Sequence, residues 1–418
     1  MPRTAAPASS RRGLLLVGTA IVLTGLNLRT AVQSVGPVLQ ELQSGLGISS
    51  GLTGLVTSLP LICFAVIGFA GPPLAARFRD GHVLAGALLA MAAGLVVRAV
   101  AGPFWLFVAG TVLAMAGGAL GNVLLPSLVK RWFPARTGLL VGAYGTAMAA
   151  GGAVASVSAA PIAAAAGDAG WRWALGVWAL PALLAALPWL AVRPRPGASQ
   201  TTRAPMPLRS LTRSPTAVAL AAFFGFQAMQ AYLIIGWTAQ YLRDSGLDAG
   251  TAGLLLGVNT VVVVPLNAIV PPLAVRPRLQ RPLLVVFSAC YVGGWIGLML
   301  APRTVPWLWM SLLAVGMSTF AMVLALIGLR ARTPEATAAL STVVQGWGYV
   351  LAGGGPLLAG VLLGATGSYA GMFAVALTGV VALTATGWVA TRERFVDDEV
   401  AARAAGAVRE PDAASRPG

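Results

Sequence analysis

The chain is short of charge: only 10% of its 418 residues are Asp, Glu, Lys or Arg. Soluble domains carry roughly 25%, so an ordinary water-soluble globule is excluded. Lysine occurs once, at Lys130, and histidine once, at His82, while Cys63 and Cys290 each fall inside a long apolar run. A disulfide framework and a Cys/His metal site are therefore not supported. No Walker lysine and no Ser-His pairing appears, and the glycine-rich stretches sit inside apolar runs rather than after a strand. An enzyme is not expected, and no cofactor or metal is implied. The twelve acidic residues, from Glu41 to Asp412, all lie at the ends of apolar runs, in loops or in the C-terminal tail.

What is abundant is apolar sequence, with 57% hydrophobic residues and a mean hydropathy of +0.81. Crossing the hydrocarbon takes about 20 mostly apolar residues per helix. Twelve such runs can be placed, at Leu14–Leu42, Gly51–Gly71, Val83–Val100, Phe104–Leu128, Gly138–Ala163, Trp171–Val192, Pro215–Tyr241, Ala249–Leu273, Pro282–Leu300, Val305–Leu329, Ala336–Gly364 and Ala370–Ala390. The fold class is an all-α membrane protein with twelve transmembrane helices. The first run is too long for a signal-peptide core and lacks a small-residue cleavage site.

The net charge of +16 raises the question of a nucleic-acid partner. With the N-terminus taken as cytoplasmic, nearly all the basic residues fall on inside segments, and only Arg98, Arg172, Arg243 and Arg303 fall on outside segments or helix ends. The positive-inside rule then puts both termini in the cytoplasm. Topology accounts for the basicity, so no nucleic acid is expected. Arginine in place of lysine, with abundant Ala and Gly, suggests a GC-rich bacterial genome and an inner-membrane location.

The chain also repeats. Pro72-Pro73-Leu74-Ala75-Ala76-Arg77-Phe78-Arg79 after the second run matches Pro271-Pro272-Leu273-Ala274-Val275-Arg276-Pro277-Arg278 after the eighth. Pro134 and Thr137 likewise match Pro334 and Thr337. The division is a cytoplasmic tail at 1–12, an N-terminal six-helix bundle at 13–192, a cytoplasmic linker at 193–214, a C-terminal six-helix bundle at 215–391 and a tail at 392–418. The linker is rich in Pro, Arg, Ser and Thr, and both tails read as disordered.

Two parallel six-helix halves joined inside resemble the major facilitator superfamily, whose members bind substrate near the midplane between the halves and rock to alternate access. Leu26-Asn27-Leu28-Arg29-Thr30-Ala31-Val32 with Ser34-Val35-Gly36-Pro37, Lys130-Arg131-Trp132-Phe133-Pro134, Gly170-Trp171-Arg172-Trp173-Ala174-Leu175 and Leu329-Arg330-Ala331-Arg332-Thr333-Pro334-Glu335 narrow it. They are similar to the cyanate and 2-nitroimidazole transporter family. The resemblance implies loop or latch roles for Arg77, Arg79, Lys130, Arg131, Arg276 and Arg278. The loop after the second run departs from the superfamily signature, with Ala75 at the acidic position.

Arg29 is the leading site candidate, because it interrupts the first apolar run where a guanidinium costs at least ~2.5 kcal/mol on insertion scales. As one continuous helix, the first run would stack Gly25, Arg29 and Gln33 on one face; Asn27, about 200° around the wheel, reads as a bridge between helices. The resemblance implies that helices 1, 4, 7 and 10 surround the cavity, and helices 1, 4, 5, 7, 8 and 11 carry polar groups. Candidate substrate contacts are Arg29, Gln33, Asn122, Tyr144, Gln227, Gln230, Trp237, Asn259, Gln345 and Tyr349. A cation without a carboxylate favours a small anion, or a polar planar molecule held between rings. Entry of an anion against an interior-negative potential costs about 2.3 kcal/mol per 100 mV, so the expected modes are export, exchange with a counter-anion, or import with a proton. The alternatives are a multidrug-type efflux carrier with a structural Arg29, or a non-transporting sensor on the same fold.

Overall fold

The computed structural model describes residues 11–77, 80–133, 136–192 and 208–409. Every regular element among them is helical. The first span is built of α1 (Arg11–Asn27), α2 (Thr30–Gln33), a 3-10 turn at Gly36–Val38 and α3 (Leu39–Leu46). Then follow α4 (Ser50–Arg77), α5 (Asp80–Val100), α6 (Phe104–Trp132), α7 (Thr137–Ala165), and α8 (Gly170–Gly176) with α9 (Ala179–Ala191) as the sixth span. A one-turn α10 (Leu208–Leu211) precedes α11 (Pro215–Asp244), α12 (Ala249–Ala274) and α13 (Pro277–Leu300). The tenth span is α14 (Pro306–Met317) with α15 (Thr319–Leu329), and α16 (Pro334–Thr366), α17 (Ala370–Ala390) and α18 (Val396–Arg409) complete the order. Among the described residues, twelve helical segments are long and apolar enough to cross a membrane.

Local chemistry sets the helix ends. Proline opens α11, α13, α14 and α16, where its missing N–H has no helical partner to lose. The Ser214, Asp248 and Thr333 side chains accept from the backbone amides of Ala217, Thr251 and Ala336 and so cap α11, α12 and α16. The two bonds from Thr251 hold the Asp248 carboxyl below the usual carboxylate range. α3 stops at Gly47, whose left-handed φ of 61° suits glycine.

The chain forms two compact units, one of Met1–Gly47 with Ala70–Ala198 and the other of Ile48–Phe69 with Ser199–Gly418. Equal halves split at the linker would have put all of α4 in the first. Within the second unit small residues bring α4 close to its neighbours: a Cβ at Gly54 would lie 3.0 Å from the Pro356 and Leu357 carbonyls of α16, and one at Gly236 of α11 would lie 3.1 Å from Thr57. Phe64 stacks on Tyr349 at 5.3 Å. The core of the first unit gathers Val17, Ile21, Leu88, Leu125, Leu128 and Trp189.

The C-terminal segment corrects the expectation of a disordered tail. Residues Val396–Arg409 form α18, with three acids in its first turn. Glu399 accepts hydrogen bonds from Ser214 Oγ, from Thr216 N at 3.2 Å and from Thr216 Oγ1 at 2.7 Å, at the start of α11. Arg332 forks onto the two Asp398 oxygens at 3.1 and 2.8 Å. Burial lowers the pKa of Arg330, against the opposing charge of Glu393, and Arg330 donates to the Ala390 and Thr391 carbonyls that end α17.

Candidate functional site

The first span is interrupted twice, and the sequence supplies reasons. Asn27 Nδ2 donates to the Leu23 carbonyl at 2.8 Å, and Thr30 Oγ1 donates to the Asn27 carbonyl at 2.9 Å. Such side-chain bonds compete with the helical ladder, and the chain turns at Leu28 and Arg29. Further on, Pro37 has no N–H to offer the Gln33 carbonyl. Ser156 Oγ of α7 donates to that carbonyl instead, at 3.3 Å. Broken backbone is tolerated at membrane depth only where protein or a water-filled cavity surrounds it.

The register that would group Gly25, Arg29 and Gln33 is therefore broken in the middle. Gly25 and Gln33 both face α7: a Cβ at Gly25 would lie 2.7 Å from the Tyr144 carbonyl, and one at Gly152 would lie 2.4 Å from Gln33 Oε1. Arg29 sits between them in the turn, half-buried. No described residue hydrogen-bonds or ion-pairs with its guanidinium. Leu28 fills the notch at Gly121 of α6, one residue before the half-buried Asn122. Tyr144 is half-buried on α7, against the core of the unit. Asn27 bridges helices as expected, donating to the Pro181 carbonyl of α9 at 3.2 Å.

The candidates of the second unit divide more sharply. Gln230 is fully buried and both ends of its amide are engaged, with Nε2 donating to the Ala376 carbonyl at 2.7 Å and Oε1 accepting from Trp295 Nε1 at 2.8 Å. Asn259 is buried and donates to the Met310 carbonyl at 2.9 Å. These two amides tie helices together. Gln227 and Trp237 are buried in α11, and the Trp237 indole N–H has no partner among the described residues. Gln345 is half-buried and donates to Ser341 Oγ at 2.7 Å. Tyr349, half-buried, lies between Phe64 and Phe224, the latter edge-on at 5.0 Å.

Of the loop candidates, Arg276 and Arg278 are exposed at the α12–α13 turn. Arg79 and the side chains of Arg77, Lys130 and Arg131 lie outside what is described.

Arg98 is the residue whose burial the sequence did not reveal. Two positions from the end of its apolar run, it reads as a boundary charge, yet it is 0% exposed. Its Nη1 donates to the Ala31 carbonyl at 2.9 Å and its Nη2 to the Leu175 carbonyl at 3.4 Å. Arg172 is the residue at the boundary instead, donating to the Ala99 and Ala101 carbonyls that end α5.

The profile of the Major Facilitator Superfamily matches residues 15–353. The chain is 34% identical over 381 residues to an uncharacterized transporter, YycB, of Bacillus subtilis, covering 90% of this chain and 94% of that one. It is 32% identical to the 2-nitroimidazole transporter of Escherichia coli, covering 91% and 95%, and 28% identical to the cyanate transport protein CynX of the same organism, covering 84% and 90%. Among solved structures, a bacterial homolog of the human lysosomal transporter Spinster superposes with a TM-score of 0.73 at 18% identity, covering 94% of this chain and 99% of that one. A D-xylose-proton symporter superposes at 0.70 and 17%, covering 91% and 99%.

Proposed function

Because the chain belongs to the Major Facilitator Superfamily, and is a multi-pass transporter rather than an enzyme, we propose that it carries a small anion or a small polar planar compound by alternating access, with Arg29 as the substrate anchor. The cargo class is that of cyanate, nitrite or a nitroimidazole, and the membrane is the bacterial inner membrane with both termini cytoplasmic. The observation that carries the reading is Arg29 itself: a half-buried cation at a helix interruption, with no carboxylate paired to it among the described residues. Interrupted helices are where secondary transporters build substrate sites, and an intramembrane ion without a counter-ion attracts one from solution. The names of two relatives, a cyanate transport protein and a 2-nitroimidazole transporter, support the cargo class.

Arg29 offers a planar fork of N–H donors that fits a planar anion in two-point fashion. Within its own unit, the half-buried Asn122 and Tyr144 complete such contacts. Gln345 and Tyr349 play that part in the other unit. Gln33 in the first unit, and Gln227 and Trp237 in the second, are buried and stand behind these contacts, while Gln230 and Asn259 hold their helices. The transport modes are export, exchange with a counter-anion, or import with a proton, since an interior-negative potential opposes entry of one negative charge by about 2.3 kcal/mol per 100 mV.

The test is thermal stabilisation of the purified protein by cyanate, nitrite, nitrate and neutral 2-nitroimidazole, in wild type and in Arg29→Gln. One small anion raises the wild-type Tm and leaves the variant unmoved. If the neutral heterocycle stabilises both proteins equally and no anion acts, Arg29 is structural and the protein is an efflux carrier for neutral compounds.

A further inference from the structure

A fully buried guanidinium without a carboxylate needs acceptors, and the fold supplies two that its own helices have given up. In an uninterrupted helix the Ala31 carbonyl would accept from Val35 N; here Val35 N turns to the Val32 carbonyl at 3.3 Å, which releases Ala31 O. Leu175 lies in the last turn of α8, where carbonyls have no donor ahead of them. The sixth span breaks after it because Pro181 cannot bond the Val177 carbonyl, which takes Leu180 N at 3.2 Å instead. Arg98, reaching from α5, donates to both released carbonyls. Asn27, on the other side of the Arg29 turn, donates across to Pro181 O at 3.2 Å. Two broken spans are thus cross-tied on both sides of Arg29.

We infer that Arg98 is a positioning residue for transport: it holds the interrupted segment of the first span, two residues beyond Arg29, in the one backbone arrangement that presents the Arg29 guanidinium to cargo. The inference rests on Arg29 being the anchor and adds the group that fixes it. The physical grounds are three. Arg98, in the last turn of α5, spends its donors on backbone rather than on solvent, and one of them holds α2, the short helix that follows the Arg29 turn. The Ala31 carbonyl, with its helical donor diverted, would be unsatisfied in the unit's interior without Arg98, a state that favours rewinding of the segment. And Arg98 is not held as a tightly satisfied structural ion, because its Nε has no partner among the described residues.

The test compares wild type, Arg98→Lys, Arg98→Gln, Arg29→Gln and the double variant Arg29→Gln/Arg98→Gln, each purified and monodisperse with unchanged helical circular dichroism. Two readouts are taken: the cyanate or nitrite concentration giving half-maximal thermal stabilisation, and hydrogen–deuterium exchange of peptides covering 28–35 and 175–181. Arg98→Gln is expected to raise the half-maximal concentration about tenfold, the scale of one lost charged hydrogen bond, and to speed exchange in those peptides alone. Arg98→Lys, which keeps a donor for one carbonyl, recovers part of both effects. The double variant binds no worse than Arg29→Gln, because the clamp acts through the anchor. Equal anion response in Arg98→Gln and wild type, alongside a lost response in Arg29→Gln, overturns the inference while leaving the anchor standing. If Arg29→Gln keeps its response, the anchor reading has failed and the positioning role for cargo falls with it; faster exchange at 28–35 in Arg98→Gln then leaves Arg98 a structural tie only.

Discussion

The first span and α11 occupy equivalent places in the repeat, and they solve the same packing problem in opposite ways. An offset of 200 brings Gly36-Pro37 onto Gly236-Trp237 and Arg29 onto Met229. Where the first span has a proline and is broken into pieces, α11 runs unbroken for 30 residues. Met229 is 6% exposed and tucked between two helices: a Cβ at Gly355 would lie 2.2 Å from its Cγ, and one at Gly379 would lie 2.1 Å from its Cε. Each half also carries a three-helix tie at matching places, Arg98 to Ala31 and Leu175 in the first and Trp295 to Gln230 to Ala376 in the second. The first tie is cationic and grips released backbone; the second is neutral and grips a side-chain amide of an intact helix. The comparison sets a span that is broken beside a half-buried cation against one that runs unbroken past a buried methionine.

The strongest way to break that comparison is to move the charge. Met229→Arg would place a guanidinium in a notch shaped by glycines, with no carboxylate there to receive it. The expected cost exceeds about 3 kcal/mol, seen as loss of monodisperse protein or a collapse of Tm. A variant that folds with wild-type stability would mean that packing does not confine the cation to one half. The reciprocal change, Arg29→Met, removes the charge from the broken span. It should leave Tm level or higher and weaken anion binding roughly 10- to 100-fold, the value of one or two charge-assisted hydrogen bonds, as read by the anion dependence of thermal stabilisation.

Pro37→Ala tests the backbone rather than the charge. Restoring an N–H at position 37 gives the Gln33 carbonyl a helical donor in place of Ser156, so the segment winds toward the form α11 already has. Stability should rise by up to about 1 kcal/mol, while uptake in proteoliposomes slows several-fold. Faster uptake, or none of the extra stability, would detach the proline from the difference between the spans. Gln230→Leu is the matching change in the other half. It strands the Trp295 N–H and costs about 1–3 kcal/mol, with the anion concentration for half-maximal stabilisation unchanged, in contrast to the rise expected when Arg98 is altered.

Hydropathy made the spans readable because length and apolar content alone decide whether a helix crosses the bilayer. Runs placed at Phe104, Pro215 and Ala370–Ala390 begin or end where the helices do. Continuity within a span was not readable the same way. A hydropathy window is blind to a short turn inside an apolar run, and the proline that marks an interruption, in Gly36-Pro37, lies some two turns beyond Arg29. Arg98 was hidden by its position near a run's end, since exposure and burial at a helix terminus depend on which neighbouring carbonyls are free. The amides were legible as polar groups in the right helices, but their partners were not: Gln230 and Asn259 differ from Gln345 only in what the fold places beside them. α18 was masked by a solvated composition, although Asp397, Asp398 and Glu399 in succession are the acids that favour a helix start.

The smallest effect concerns the start of α11 and asks whether its rigidity is maintained from outside the span. Glu399 accepts from Ser214 Oγ, Thr216 N and Thr216 Oγ1, which joins a carboxylate to the positive end of a 30-residue helix. The first span has no such acid in its first turn. Glu399→Gln keeps the size and one acceptor oxygen but removes the charge, so it should cost about 0.5–1 kcal/mol, measured as a small fall in Tm. Hydrogen exchange should quicken in the first turn of α11 and not around Leu28–Ser34, because the contact ends at Thr216. Exchange that instead quickens through the middle of α11 would show that its continuity depends on α18. The unbroken helix would then be a property of the whole C-terminal unit rather than of the tryptophan that stands where the first span has proline.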